Sequence, residues 1–338
     1  MKEIIKAYGE VMMRLEVPNY LKLEQSHSLN VTYTGTSVNV LSALSKYGHH
    51  TSLITKLPEN SLGDAAIASI RSRGVSTSDI VRGGEYLGMY FLENGYSVRP
   101  TKVTYSNREA SSFCSASLSD FDLTTILQDT KIIHFCGIAL AISEQTRMNA
   151  LQIAKMAKEQ GITIVFDCNY RPKLWKNQKT NPKKVYEKML HLSDICFMTE
   201  KDALYVLGME TKEIDQQKQI EDVLPMVAKK YQLSTIAGTI RKNEHSENKI
   251  IKGFLYYDND FIYSKEYVYK VVDRIGAGDG FTSGVMHGLL NQLSLKDTIE
   301  FATASGVLAH TTHGDVPVCS LEEVWNLVNE KFETNLER

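Results

Sequence analysis

No run of apolar residues in this 338-residue chain approaches the roughly 20 that a membrane-spanning helix needs, and Met1–Gly9 mixes charged and apolar side chains without a signal core. Both absences point to a cytoplasmic protein with no membrane partner. Cysteine is scarce. Cys114, Cys136, Cys168, Cys196 and Cys319 form an odd, scattered set without any Cys-x-x-Cys spacing, which argues against zinc or redox chemistry and leaves buried free thiols. An excess of one charge is missing too: 38 Lys and Arg nearly balance 40 Asp and Glu, and the basic residues are dispersed, so nothing favours nucleic acid as a partner. Internal repeats, low-complexity tracts and long Pro/Gly linkers are also lacking.

What remains is an ordinary globular composition, 43% hydrophobic, enough to bury a large α/β core as one domain or two smaller ones. Between Lys131 and Gly208, short apolar runs alternate with longer amphipathic stretches, the pattern of βαβ units and a parallel sheet covered by helices. Ile132–Phe135 reads as a strand. Ser143 then caps a helix whose apolar residues Met148, Leu151, Ala154 and Ala157 recur at helical spacing until Gly161. Ile162–Phe166 is the next strand, followed by a helix over 182–192, a strand Ile195–Met198 and a helix over 200–207. This is a doubly wound sheet. Two segments, about 11–33 and 85–108, mix polar, aromatic and β-branched residues without helical period. They read as strands of a small separate sheet, either a lid that excludes water or plain surface hairpins. A single domain over 1–330 with a tail over 331–338 accounts for the chain.

The most informative stretch is Val271-Val272-Asp273-Arg274-Ile275-Gly276-Ala277-Gly278-Asp279-Gly280-Phe281. An apolar strand ending at Val272 runs into a helix of small residues beginning near Gly278. The unpaired N–H groups and dipole of a helix start attract an anion, and Gly276 and Gly278 let the backbone approach it. Asp279, in the first turn, sets a carboxylate beside that anion, which suits removal of a proton from a hydroxyl attacking phosphorus better than it suits phosphate binding. Other glycine loops fail on spacing. A Walker A run is missing, and a dinucleotide fingerprint would want glycine where Phe281 stands.

The string Asp273 to Asp279 resembles the C-terminal signature of the PfkB, or ribokinase-like, carbohydrate kinases. A second motif of that family is matched by Gly35-Thr36-Ser37-Val38-Asn39, with Thr34 where the family prefers a further glycine. Leu62-Gly63-Asp64 and Arg73-Gly74-Val75 are similar to it as well, so the resemblance covers nearly the whole chain. It implies a ribokinase-like α/β fold with a mostly parallel sheet, helices on both faces and a small β-sheet lid. It also implies Asp279 as catalytic base, with Gly276, Ala277 and Gly278 forming the anion hole.

Within the family, Phe166-Asp167-Cys168-Asn169-Tyr170-Arg171-Pro172 is similar to the 2-keto-3-deoxygluconate kinases, as are Gly88-Met89-Tyr90-Phe91-Leu92-Glu93 and the tail through His313-Gly314-Asp315. The run at Asn169 and Arg171 follows a strand, hence lies at the ligand-binding edge of the sheet, and a guanidinium suits a sugar-acid carboxylate. The plainer alternative is Arg171 salt-bridged to Asp167. The resemblance implies Gly35, Asn39, Tyr90, Arg108, Arg171 and Asp315 at the sugar, and Asn169, Arg171, Arg241, Gly276, Gly278 and Gly314 at ATP. Where the family carries Asn-x-x-Glu for Mg²⁺, this chain has Thr199-Glu200-Lys201-Asp202, so Asp202 would act on the metal through water. Phosphoryl charge calls for Mg²⁺ in any case. His310 and His313, lacking a third ligand, read as structural.

The expectation is therefore an ATP- and Mg²⁺-dependent kinase of 2-keto-3-deoxygluconate, with a monovalent cation left open and a homo-oligomer implied by family analogy. The alternatives are a kinase of neutral sugars or nucleosides, and a silent sugar-acid-binding protein.

Overall fold

The computed structural model describes residues 4–176, 178–242 and 247–331; the expected tail lies, from residue 332 onward, outside the described residues. The central sheet has ten strands among the described residues. Their order is Asp260–Tyr263, Lys249–Tyr257, Thr235–Lys242, Ile195–Phe197, Thr163–Asp167, Thr130–Cys136, Ile4–Tyr8, Thr51–Leu57 and Ile80–Arg82, with Tyr267–Tyr269 also pairing with Lys249–Tyr257. From Ile80–Arg82 through Thr235–Lys242 every neighbouring pair is parallel, whereas the pairings made by Lys249–Tyr257 are antiparallel. Helices cover both faces of a parallel sheet, so its strands are buried on both sides and read as unbroken apolar runs. Ile133 and Phe135 in one strand and Ile164 and Phe166 in the next are fully buried.

The helix Glu144–Glu159 shows how local sequence sets these layers. Ser143 accepts a hydrogen bond from the Thr146 N–H at 3.1 Å, closing a capping box, and Gly161 leaves the helix at φ +71°. Its buried stripe is Ala150, Ile153, Ala154 and Ala157, while Met148 is half exposed. Met148 fits the helical period in sequence, yet the stripe that meets the sheet begins two residues later.

A second sheet stands apart from the first, in the order Asn30–Thr34, Met12–Glu16, Gly88–Glu93, Lys102–Ser106. Its middle pair is parallel, with Arg14 opposite Tyr90, and its outer pairs are antiparallel. Burial alternates along Gly88–Glu93, so Tyr90 and Leu92 face inward. Tyr90, Val103, Tyr105 and Arg108 wall a cavity over the carboxyl edge of the central sheet, and this sheet is the lid.

Two details differ from the sequence reading. The strand before the glycine turn ends at Tyr269, not Val272, and runs antiparallel. The Val272 N–H instead donates to the carbonyl of His310 at 2.8 Å, so the residues leading into the turn are held by the C-terminal loop rather than by a strand partner. The second is the helix over 200–207, whose Asp202–Val206 segment is a π-helix closed by the Leu207 N–H donating to the Asp202 carbonyl at 3.2 Å. Such widened turns are commonly found at functional sites. This one turns Lys201, Asp202 and Tyr205 toward the cavity. No described helix is long and apolar enough to cross a membrane.

Candidate active site

A cavity of about 860 Å³ opens between the lid and the carboxyl edge of the central sheet. That is room for a nucleotide and a small sugar together.

Its floor is the glycine turn. Gly276 is the N-cap of the helix Ala277–Leu290 in the left-handed conformation, φ +85°, and a Cβ there would sit 1.7 Å from the Asp315 carbonyl oxygen, so no other residue fits. Gly278 faces open space. The first helical hydrogen bond is donated by the Gly280 N–H to the Gly276 carbonyl at 2.9 Å, which leaves the N–H groups of Ala277, Gly278 and Asp279 free for an anion.

Asp279 stands in this turn and is 7% exposed. Its Oδ2 accepts from Asn39 Nδ2 at 2.7 Å. Burial pushes its carboxyl up to about 7, against the opposing pull of the Asn39 hydrogen bond and the Arg171 guanidinium. A base poised near neutrality is what proton abstraction at physiological pH requires. Neighbouring Asp167 rises further, to about 8, through burial and then the like charges of Asp279 and Asp202.

Arg171 follows the strand Thr163–Asp167 through Asn169, whose φ of +35° turns the chain into the cavity, and caps the short helix Pro172–Trp175. Its guanidinium makes no ion pair with Asp167 or with any other described residue. It is exposed at the cavity wall, and its field partly offsets the rise that burial imposes on the carboxyls of Asp279, Asp167 and Asp202. Arg108 is placed differently. It is buried, bonded to Glu10 Oε2 at 2.9 Å through Nε and stacked 4.5 Å over the Tyr105 ring, with Nη1 unpartnered.

Asp202 Oδ2 accepts from the Thr199 N–H at 2.9 Å and the Thr199 hydroxyl at 3.3 Å. Thr199, standing where the family carries an amide, thus holds the carboxylate in place. Among the described residues, no three Asp, Glu, His or Cys side chains converge to cage a metal. One or two carboxylates beside a phosphate cradle are nevertheless the usual setting for Mg²⁺, which keeps much of its water and takes phosphate oxygens. Asp202 fits that pattern.

Gly35, Asn39, Tyr90, Arg108, Asn169, Arg171, Asp202, Arg241, Gly276, Ala277, Gly278, Asp279 and Asp315 all line this cavity. Gly314 sits behind the lining, at φ +100°, its N–H donating to Asp273 Oδ2 at 3.3 Å. His310 is buried, its Nδ1 2.9 Å from the Asp273 carbonyl, and His313 is exposed, so the two do not form a metal pair.

Arg14 has no counterpart in the sequence reading. Wholly buried at 0% exposure, it comes from the lid strand Met12–Glu16 and donates to Asp315 Oδ1, to Asp273 Oδ2 at 3.0 Å and to Glu16 Oε2 at 2.8 Å. Tyr90 donates its hydroxyl to the other oxygen of Asp315. The lid is thereby tied to the glycine turn through buried charge. A lone arginine in a strand gives no sign of this, because its partners lie about 260 and 300 residues away.

Comparison with known proteins identifies the family. The pfkB family carbohydrate kinase profile matches residues 2–322. A Haloferax volcanii 2-dehydro-3-deoxygalactonokinase is 27% identical over 323 residues, 94% of each chain. The crystal structure of a 2-dehydro-3-deoxygluconokinase from Thermotoga maritima superposes with a TM-score of 0.92 at 33% identity, covering 97% of this chain and 99% of that one. An Enterococcus faecalis structure provisionally assigned as a 2-keto-3-deoxygluconate kinase gives 0.93 at 34%, covering 100% and 99%. With the family profile matching nearly the whole chain and the fold superposing over almost its full length, the chain belongs to the pfkB family of carbohydrate kinases.

Proposed function

We propose that the chain transfers the γ-phosphoryl group of ATP to the terminal hydroxyl of 2-keto-3-deoxygluconate, giving the 6-phosphate. The observation that carries the reading is Arg171, a guanidinium without an ion-pair partner standing in the field of Asp279 beside the free amides of the glycine turn. A neutral sugar gives such a cation nothing to pair with, whereas a carboxylate takes its fork in two charge-assisted hydrogen bonds. The names of the similar proteins favour the same substrate class.

In this mechanism Asn39 holds Asp279 by one oxygen, leaving the other to take the proton of the attacking hydroxyl. The N–H groups of Ala277, Gly278 and Asp279 receive the phosphoryl oxygens as charge shifts onto them. The lid residues Tyr90, Tyr105 and Arg108 wall off water, and Asn169 and Arg241 border the nucleotide. Mg²⁺, held through water by Asp202, would neutralise charge on the nucleotide phosphates when bound.

The test is an ATP-consumption assay over 2-keto-3-deoxygluconate, its galacto epimer, fructose, ribose and nucleosides, with Arg171→Ala alongside the wild type. The wild type should prefer a sugar acid. Arg171→Ala should lower kcat/KM for it roughly 10- to 100-fold, the worth of a charge-assisted pair, while changing any neutral sugar far less. Equal losses on acids and neutral sugars would rule out Arg171 as the carboxylate reader.

A further inference from the structure

We propose that Thr34 is a positioning residue for the base, its single hydroxyl proton passing between Asn39 and Asp315 as Asp279 gains and loses the proton of the sugar hydroxyl. This rests on the reading of Asp279 as base and adds to it a residue that departs from the family pattern, which has glycine at position 34.

Thr34 Oγ1 lies 3.0 Å from Asn39 Oδ1 and 2.9 Å from Asp315 Oδ2. A hydroxyl has one proton, so it cannot donate to both at once. Beyond Thr34, Asn39 Nδ2 donates to Asp279 Oδ2 at 2.7 Å, and Asp315 takes Arg14 on one oxygen and Tyr90 on the other. Asp279, Asn39, Thr34 and Asp315 are each 7% exposed or less, so a partner lost inside this network is costly.

Two arrangements satisfy the chain. With Asp279 ionised, Asn39 donates to Asp279 and Thr34 donates to the Asn39 carbonyl. Once Asp279 has taken the sugar proton, a half-turn of its carboxyl brings the new O–H against Asn39. A half-turn of the amide, which exchanges two nearly isosteric groups, then lets Asn39 accept from Asp279 and donate to Thr34, and Thr34 donates to Asp315. Only the sugar-to-Asp279 proton is transferred, and within the chain no covalent bond forms or breaks. Glycine at position 34 could make neither arrangement.

Without the hydroxyl, the far end of Asn39 is orphaned in both states. The protonated state fares worse, because it strands N–H donors rather than a carbonyl and also withdraws a donor from Asp315. Thr34→Val should therefore make Asp279 a weaker base. The other groups facing Asp279 are Arg171 in the loop after its strand, Asp167 at that strand's end and Cys136 on the adjacent strand. All are unchanged in the variant.

The test is the pH profile of kcat/KM for wild type, Thr34→Val, Thr34→Ala, Thr34→Ser and Asp279→Asn, each checked by thermal melting. Thr34→Val and Thr34→Ala should lower kcat about tenfold with KM for ATP within about twofold, and move the acid limb down by roughly half a unit to one unit. Thr34→Ser should restore both. In wild-type protein labelled with ¹⁵N-asparagine, the side-chain amide of Asn39 should shift through the pH of that limb. Wild-type limbs in folded Thr34→Val and Thr34→Ala, failure of serine to restore them, or an Asn39 amide that ignores pH would overturn the proposal. If Asp279→Asn is inactive while Thr34→Val behaves as wild type, only this proposal fails; if Asp279→Asn turns over normally, the functional reading fails with it.

Discussion

Replacing Asp279 with Asn is expected to lower kcat by about 10³-fold, within the range for loss of a positioned general base, while leaving the protein folded. Asparagine keeps the shape of the side chain and an oxygen to accept from Asn39 Nδ2, so the packing of the turn is preserved. Its effect on stability should have the opposite sign to its effect on turnover. The folded carboxyl, near 7 against 3.8 in its ordinary state, holds its proton over a range where the unfolded chain has lost it. Asp279 therefore subtracts stability as pH rises from about 4 through 7, and at pH 8 the native state carries a buried charge that asparagine removes. Thermal melting at pH 8 should show a Tm equal to or above wild type, and at pH 5 the difference should shrink. Turnover within tenfold of wild type would remove Asp279 from the role of base. A Tm well below wild type at pH 8 would show that its charge is better compensated than burial implies.

Arg14→Met should cost about 3–5 kcal/mol, the usual penalty for removing one partner of a buried ionic cluster. That corresponds to a Tm lower by roughly 4–7 °C in a chain of this length. Methionine fills much of the same volume, so the loss measures charge rather than a cavity. It leaves Asp273 and Asp315 buried together, with Glu16 beside them, without the guanidinium that pairs with all three. Melting curves at pH 8 check the magnitude. A variant as stable as wild type at pH 8 would mean that the lid is held to the glycine turn by packing alone. Because Asp315 also receives Tyr90 and faces Thr34, activity should fall along with stability.

Local patterning made much of this molecule legible in its sequence. Capped helices such as Glu144–Glu159, apolar strand runs, and the glycine turn ending in Asp279 are each contained in a dozen or so contiguous residues. Their physics of caps, unpaired amides and buried parallel strands acts at that range. Reading went astray where local pattern and tertiary contact compete. The apolar Val271 and Val272 look like a strand, yet the Val272 N–H has its partner in His310. The bond from Arg108 to Glu10, about 100 residues away, is likewise a tertiary contact that no local pattern announces.

By itself, then, the sequence determined the layered α/β class, the glycine turn at a helix start and the carboxylate in its first turn, because each depends on residues that are neighbours along the chain. The tertiary structure alone decided that Arg14 lies buried among carboxylates, that Thr34 joins Asn39 to Asp315, and that Arg171 is left without a partner. Those are facts about distances between remote segments, and no spacing within a segment encodes them.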